Sequence, residues 1–529
     1  MLMALTGITL ITPPESKDAI QSALDTNPYL TSLPSPKPDI IAPEALTFTS
    51  GTAEIFRFTE VQDAISQDFV ILPCDIVSEL DGVSLLEAWM VTQSGFGGAT
   101  GGMTPDGRAI PMRIGGEKIG RRGGLGVWYP AARSEDGKKK VEESDFLATA
   151  PSNQSIVPPP GGNLRSRLEE VVMAMSVDTL NDTLEDEKSL SVRSSLLTKH
   201  GRVKMRTNLR DAHVYLFPFW VKDFMKHNET FDSISEDVLG WWAKATWQDG
   251  LGDKLGLREI LDPPQSSRSN ANGNANPLND EISIAALSTT SHLNPSQSHN
   301  SITSPHLASR VHHSSSTNLQ PPSKLTIPPI LAYIHPLASV PITRIDTTPA
   351  LLTTTLRLAK LPPSPESSSP FAHPAKIASP DPLPPQARVS AEDTLIDAAV
   401  TLGSRTSIKE SAVGARCVVG AGARLLRCLL MEGAVVGDAV QMTGCVVGRG
   451  ARVEGMPAAP GAAAAGGDAA ARTRRGRTVL WDCEVGHGVV LPWGTEARGE
   501  KFVAGGVLDE AFAGEGDDED EDEGSEDEE

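Results

Sequence analysis

Between Leu402 and Leu491 an aliphatic residue returns every six positions, often followed by glycine and then by small or polar residues. Val413-Gly414, Val419-Gly420, Val436-Gly437, Val447-Gly448 and Val485-Gly486 are the clearest starts. Val413, Val419, Leu425 and Met431 keep the spacing. So do Leu402 and Ile408, Leu430, Val436 and Met442, Val447 and Val453, and Val479, Val485 and Leu491, with one-residue slips between groups. A period of six matches neither a helix nor the two-residue alternation of a strand. It matches a β-solenoid, in which three hexads close one triangular coil and each aliphatic points into a shared core. Glycine-rich composition produces one such hexad by chance, but not ten or more in phase. The Ala-, Gly- and Arg-rich stretch Gly455 to Arg477 interrupts the period and reads as a loop extruded from the stack.

The rest of the chain has room for one or two further cores, since 529 residues exceed what a single domain normally uses. The 40 Pro and 47 Gly point to much irregular sequence. The net charge of −21 is concentrated at one place: twelve of the fifteen residues from Glu515 to Glu529 are acidic, a composition that cannot bury apolar surface. No run approaches the roughly 18–20 apolar residues that span a bilayer. Residues 1–12 lack a basic start and a cleavage site, so no secretory signal is read. Cys74, Cys417, Cys428, Cys445 and Cys483 are odd in number and contain no C-x-x-C, which favours reduced thiols over a disulfide framework or a zinc site.

Ahead of the solenoid, strand and helix patterns alternate. Leu5–Ile11 and Asp68–Leu72 read as strands, Lys17–Leu24 and Leu85–Val91 as helices, which implies a largely parallel sheet covered by helices. From Gly95 to Ser155 the chain is Gly-rich and basic, with Gly115-Gly116, Gly120 to Gly124 and Lys138 to Lys140, and reads as exposed connection. Leu164–Ser176 reads as a helical run, Val214–Phe217 as a buried strand, and Trp220–His227 and Val238–Gln248 as helices. Trp241, Trp242 and Trp247 cannot share one narrow stripe, so at least one is expected at the surface. Pro263 to Ser323 is dominated by Ser, Asn, Pro and His and reads as linker.

Chemistry is sparse. Gly115 to Gly126 lacks the G-x-x-x-x-G-K-[ST] of a phosphate loop, and the basic clusters at 138–140 and 472–477 have no interleaved aromatics. His312-His313 lies in the linker, and His487 alone is weak grounds for acyltransferase chemistry. Asp75 stands just past a strand, where ligands of α/β sheets bind, and a carboxylate there suits Mg²⁺ on nucleotide phosphates. Its bland alternative is a cap on the next helix. Gly51-Thr52-Ala53 allows close approach to a nucleotide base, or is a simple turn.

An α/β segment with Gly51-Thr52-Ala53 and a strand-end Asp75, followed by hexapeptide repeats, resembles the sugar-nucleotidyltransferase family. Gly51 to Ile55, Asp68 to Asp75, Asn208 to Tyr215, Leu480 to Gly486 and Gly494 to Glu500 resemble a non-enzymatic branch, the gamma-subunit family of eukaryotic translation initiation factor 2B. Departures from the enzymes point the same way: no Gly-rich, Arg-bearing nucleotide loop precedes Leu5, Asp75 follows Cys74, and no Glu-Lys-Pro element is found. The resemblance implies a nucleotidyltransferase-like, Rossmann-like mixed sheet lacking its first strand over 1–261 and a linker over 262–323. It implies a segment packing on the sheet domain over 324–361, a Pro/Ser-rich link over 362–390, a left-handed parallel β-helix over 391–507 with loop 455–477, and an acidic tail over 508–529. It implies no catalytic residue, cofactor or metal, with Gly51, Thr52 and Asp75 a vestigial nucleotide site. The partners it implies are the catalytic epsilon subunit, other subunits of a hetero-oligomer and initiation factor 2, in the cytosol, with no membrane and no direct nucleic acid. The rival expectation is an active mannose-1-phosphate guanylyltransferase type of enzyme.

Overall fold

A computed structural model of the chain describes residues 7–31, 36–94, 123–131, 144–152, 164–261, 325–337 and 341–508, less 365–366, 368, 374, 379–382, 457–476 and 504–505. The chain divides into two units, Met1–Ile342 and Thr343–Glu529. The first is mixed α/β. Its six-stranded sheet has the order β3 (Phe69–Ile71), β8 (Lys204–Phe217), β5 (Gly124–Pro130), β9 (Ile330–Ile334), β7 (Leu168–Ser176), β6 (Asp145–Pro151). Strands β1 (Thr9–Ile11) and β2 (Asp39–Ile41) form a separate parallel pair, and β4 (Ile76–Ser78) pairs with β10 (Ile342–Arg344).

Both faces of the sheet are buried by aromatic-rich layers. On one, helices α5 (Trp220–His227) and α6 (Leu239–Trp247) bring Trp220, Phe224 and Trp242 onto Phe217, Tyr215 and Trp128. Trp220 and Trp242 meet edge to face with centroids 4.7 Å apart, a favoured aromatic geometry. On the other, Leu85 and Trp89 of α3 (Gly82–Ser94) cover Leu125, Val127, Leu216 and Leu331. Helix α4 (Val177–Glu187) adds Leu180 to a third cluster with Phe146, Val172, Leu196 and Trp247. The remaining helices of this unit include α1 (Pro14–Thr26) and α2 (Thr59–Ala64).

Four expectations are corrected here. The sheet is mixed, as the resemblance implied, and not largely parallel as the strand–helix alternation implied: β5 and β9 run parallel, whereas β3–β8, β5–β8, β7–β9 and β6–β7 are antiparallel. Gly124–Pro130 and Asp145–Pro151, read as exposed connection, are buried strands. Gly124 and Gly126 are there because a Cβ would crowd Trp242 at 2.9 Å and Trp128 at 2.6 Å. Leu168–Ser176 is a strand, not a helix: its apolar stretch Val171–Met175 is covered on both faces and carries no period that separates the two. The helix that follows Asp75 is capped by Asp81, whose carboxylate accepts from the N–H groups of Val83 and Ser84 at 3.0 and 3.2 Å. Trp241 is the exposed member of its cluster, with the Lys244 ammonium 5.1 Å from its ring centre.

The second unit is a parallel β-helix of three sheets. Every third strand pairs in register, so Val413, Leu430 and Val447 stack in one sheet, Val419, Val436 and Val453 in the next, and Leu425, Met442 and Leu480 in the third. All of these are buried. Between Leu395 and Val453, and again after the 455–477 loop, registry partners are 17 residues apart, as are the hydrogen-bonded Ser411 and Cys428 one coil apart. A coil is therefore two hexads and one pentad, and the one-residue slips in the pattern are systematic. Met431 and Val479, read as inward, give way to Leu430 and Leu480. Helix α7 (Thr348–Ala359) packs on the outer side of Ala412–Val413. Loop 455–477 lies almost wholly outside the described residues.

Candidate functional site

Gly51-Thr52-Ala53 opens a 3₁₀ turn, Glu54–Arg57, that is clasped to the segment before α6. The Ala53 N–H donates to the Asp232 carbonyl at 2.8 Å, and the Thr52 hydroxyl accepts from the Ile234 N–H at 3.0 Å. Arg57 donates to the carbonyls of Glu229 and Phe231 at 2.9 and 2.7 Å. A Cβ on Gly51 would overlap both the carboxylate and the carbonyl of Asp232. The close approach that this glycine permits is thus made by Asp232 of the same chain. The Asp237 carboxylate holds that segment in place, accepting from the N–H groups of Asp232 and Ser233 at 2.9 and 3.0 Å.

Asp75 lies in the half-buried turn between β3 and β4, beside exposed Cys74. Ile71 is the registry partner of Tyr215, so this turn leaves β3 at the sheet end where His213 and Asp211 stand on β8. A polar cluster occupies that end. Asp211 is 3 % exposed; its carboxylate accepts from the Tyr215 hydroxyl at 2.6 Å and from the His213 N–H at 2.8 Å. Its own N–H donates to the Asp145 carboxylate at 2.7 Å. Burying a carboxylate without such partners carries an effective desolvation penalty on the order of several kcal/mol. His213 has φ +51°, a left-handed conformation rare for a side-chain-bearing residue and a mark of local constraint. Its ring stacks on Tyr215, which stacks on Phe217 with centroids 5.3 Å apart.

These residues form a positioned carboxylate–phenol pair, with the Asp145 carboxylate on the Asp211 N–H. Among the described residues no group of three or more His, Cys, Asp or Glu is arranged to hold a metal ion. Asp211, His213 and Tyr215 were not singled out chemically in the sequence, although polar residues at every second position of an otherwise apolar strand are a readable signal.

The solenoid presents three outward columns. On the first sheet Lys409, Leu426, Thr443, Trp481 and Arg498 follow one another in register. On the second, Ala412 and Val446 are buried, and α7 covers part of that face. On the third, Val418 and Val490 are 40 % and 54 % exposed, with Val435 and Arg452 between them. His487 serves a corner: its Nδ1 accepts from the Arg449 N–H at 2.9 Å. Cys428, Cys445 and Cys483 occupy one position in successive coils, all buried as free thiols.

Comparison with known proteins relates one stretch of the chain to a translation factor. Over 74 residues it is 35 % identical to the translation initiation factor eIF2B subunit gamma of Schizosaccharomyces pombe (strain 972 / ATCC 24843), a match covering 14 % of this chain and 16 % of that protein. No family model matches the chain. Among the described residues no helix is long and apolar enough to cross a membrane.

Proposed function

We propose that the chain is a non-catalytic regulatory subunit of the exchange factor that replaces GDP with GTP on translation initiation factor 2. The observation that carries this reading is its 35 % identity over 74 residues to a gamma subunit of initiation factor 2B. The order of a mixed α/β unit followed by a parallel β-helix supports it. In this reading the first unit is a nucleotidyltransferase-like domain, the β-helix is left-handed, and Gly51, Thr52 and Asp75 are remnants of a nucleotide site. The space against Gly51 that a base would use is filled by Asp232.

Exchange makes and breaks no covalent bond. A factor that binds the nucleotide-free form of its target more tightly shifts the equilibrium toward GDP release. The chain's part is then to bind the epsilon subunit, which carries the catalytic residues, and to help hold initiation factor 2, in the cytosol. Purification of the tagged chain from its own cells tests this: an epsilon-type subunit and initiation factor 2 are expected in fixed proportion, and recovery of neither refutes the reading.

A second reading, a sugar-phosphate nucleotidyltransferase, is favoured by one observation: Asp75 and the Asp211–Tyr215 pair share one end of the sheet. Incubation with mannose 1-phosphate, GTP and Mg²⁺ separates the two. Pyrophosphate release abolished by Asp75→Ala would establish the enzyme; its absence leaves the exchange-factor subunit.

A further inference from the structure

The outer surface of the first solenoid sheet changes character along its length. Its early coils expose Arg388, Lys409, Arg424 and the corner residue Arg427. Among the described residues none of the four has an acidic partner within salt-bridge distance. Two carboxylates lie nearby, and neither forms a salt bridge with any of the four. Glu410 faces Lys360 at 3.7 Å. Asp393 is partly desolvated, yet hydrogen bonds from Ser390 and the Glu410 N–H, with help from the Lys409 charge, hold it below the usual carboxylate range. Further along the column Leu426 and Trp481 are 38 % and 43 % exposed, and Arg498 follows Trp481 in register. Adjacent strands stand about 4.8 Å apart, so the cations spread over about 10 Å and the column from Lys409 to Arg498 over about 20 Å.

Unpaired cations beside exposed apolar side chains fit an acidic peptide that also carries apolar groups. Such a peptide is present in the chain itself: Glu515 to Glu529 holds twelve acidic residues, and Phe512 precedes it. The last described strand, Gly506–Leu508, pairs with Lys501–Val503 in the final coil. The 21 residues beyond Leu508 reach at most about 70 Å, several times the length of the column. Tethering at this distance gives an effective concentration of about millimolar, enough to fill a weak site.

We propose that the Arg388–Lys409–Arg424–Arg427 face is a docking surface for acidic peptides, and that residues 515–529 occupy it in cis until an acidic partner displaces them. This inference stands apart from the exchange-factor reading. A basic surface with an exposed tryptophan also suits single-stranded nucleic acid, and the complementary charge on the same chain decides for the peptide.

The test uses the full-length chain and a full-length variant in which the twelve acidic residues of 515–529 become Asn or Gln. The probe is a fluorescent peptide of residues 511–529, with an oligothymidylate as the comparison ligand. The neutralised variant binds the peptide at least ~10-fold more tightly than the natural chain, because the cis competitor is gone. Adding Lys409→Glu, Arg424→Glu and Arg427→Glu, all at exposed positions, abolishes that binding, and added salt weakens it. Equal binding by natural and neutralised chains, indifference to the charge reversals, or binding of the oligothymidylate alone would overturn the proposal.

Discussion

Gly51 is required by packing within the chain, because the Asp232 carboxylate and carbonyl fill the space a side chain would need. Gly51→Ala therefore lowers stability by about 1–3 kcal/mol, the usual cost of overpacking, and a fall in the urea midpoint of the α/β unit checks it. Glu169 shows the opposite balance. Burial raises its pKa, but hydrogen bonds from Arg206 at 2.9 Å, Lys204 at 2.7 Å and Thr149 at 2.5 Å outweigh burial and hold it at about 2, below its ordinary 4.5. The folded form thus binds the proton less well than the unfolded form. The network's stabilisation is complete above pH 4.5 and fades as pH falls toward 2. Glu169→Gln flattens that part of the stability–pH curve, and urea titrations across this range measure it. The thiols divide just as clearly. Cys74 is exposed, whereas its hydrogen bond with Cys428, together with burial, pushes Cys445 up to about 12, and burial raises Cys417. One of the five thiols reacts quickly with an alkylating reagent in the native protein and all five after unfolding. Rapid native labelling of Cys445 would contradict the buried stack.

At the scale of elements, legibility followed how local the controlling contacts are. The solenoid was readable because each coil repeats its neighbour, so the packing is written into the period. Its phase was harder to see, since a coil of two hexads and a pentad moves the inward residue by one place, from Met431 to Leu430. Leu430→Ala should cost about 2–5 kcal/mol and Met431→Ala much less, and thermal unfolding of the two variants distinguishes the registers. Strand β5 was hidden because its glycines answer to Trp242 and Trp128, which come from α6 and from its own bulged strand. Strand β7 was hidden because both of its faces are covered. Of the candidate site, the Gly51-Thr52 turn and Asp75 were visible as residue types at strand or turn ends. The Asp211–His213–Tyr215 cluster was not, because it depends on a positive φ at His213 and on the pairing of β8 with β3 and β5.

For the whole molecule, the two units present different surfaces. The mixed sheet carries a polar cluster at one end, and the solenoid carries long outward columns of partly exposed side chains. The formal charge of −21 is drawn largely from residues 515–529, so the rest of the chain is closer to balance than the total suggests. A chain that acts by holding partners, with epsilon-type residues doing the exchange, should be silent alone and active in company. The most direct measurement is the rate of GDP release from initiation factor 2 with this chain alone, with the epsilon subunit alone, and with both. The account predicts no acceleration by the chain alone and faster release by the pair than by epsilon alone; a pair that releases GDP no faster than epsilon would contradict it.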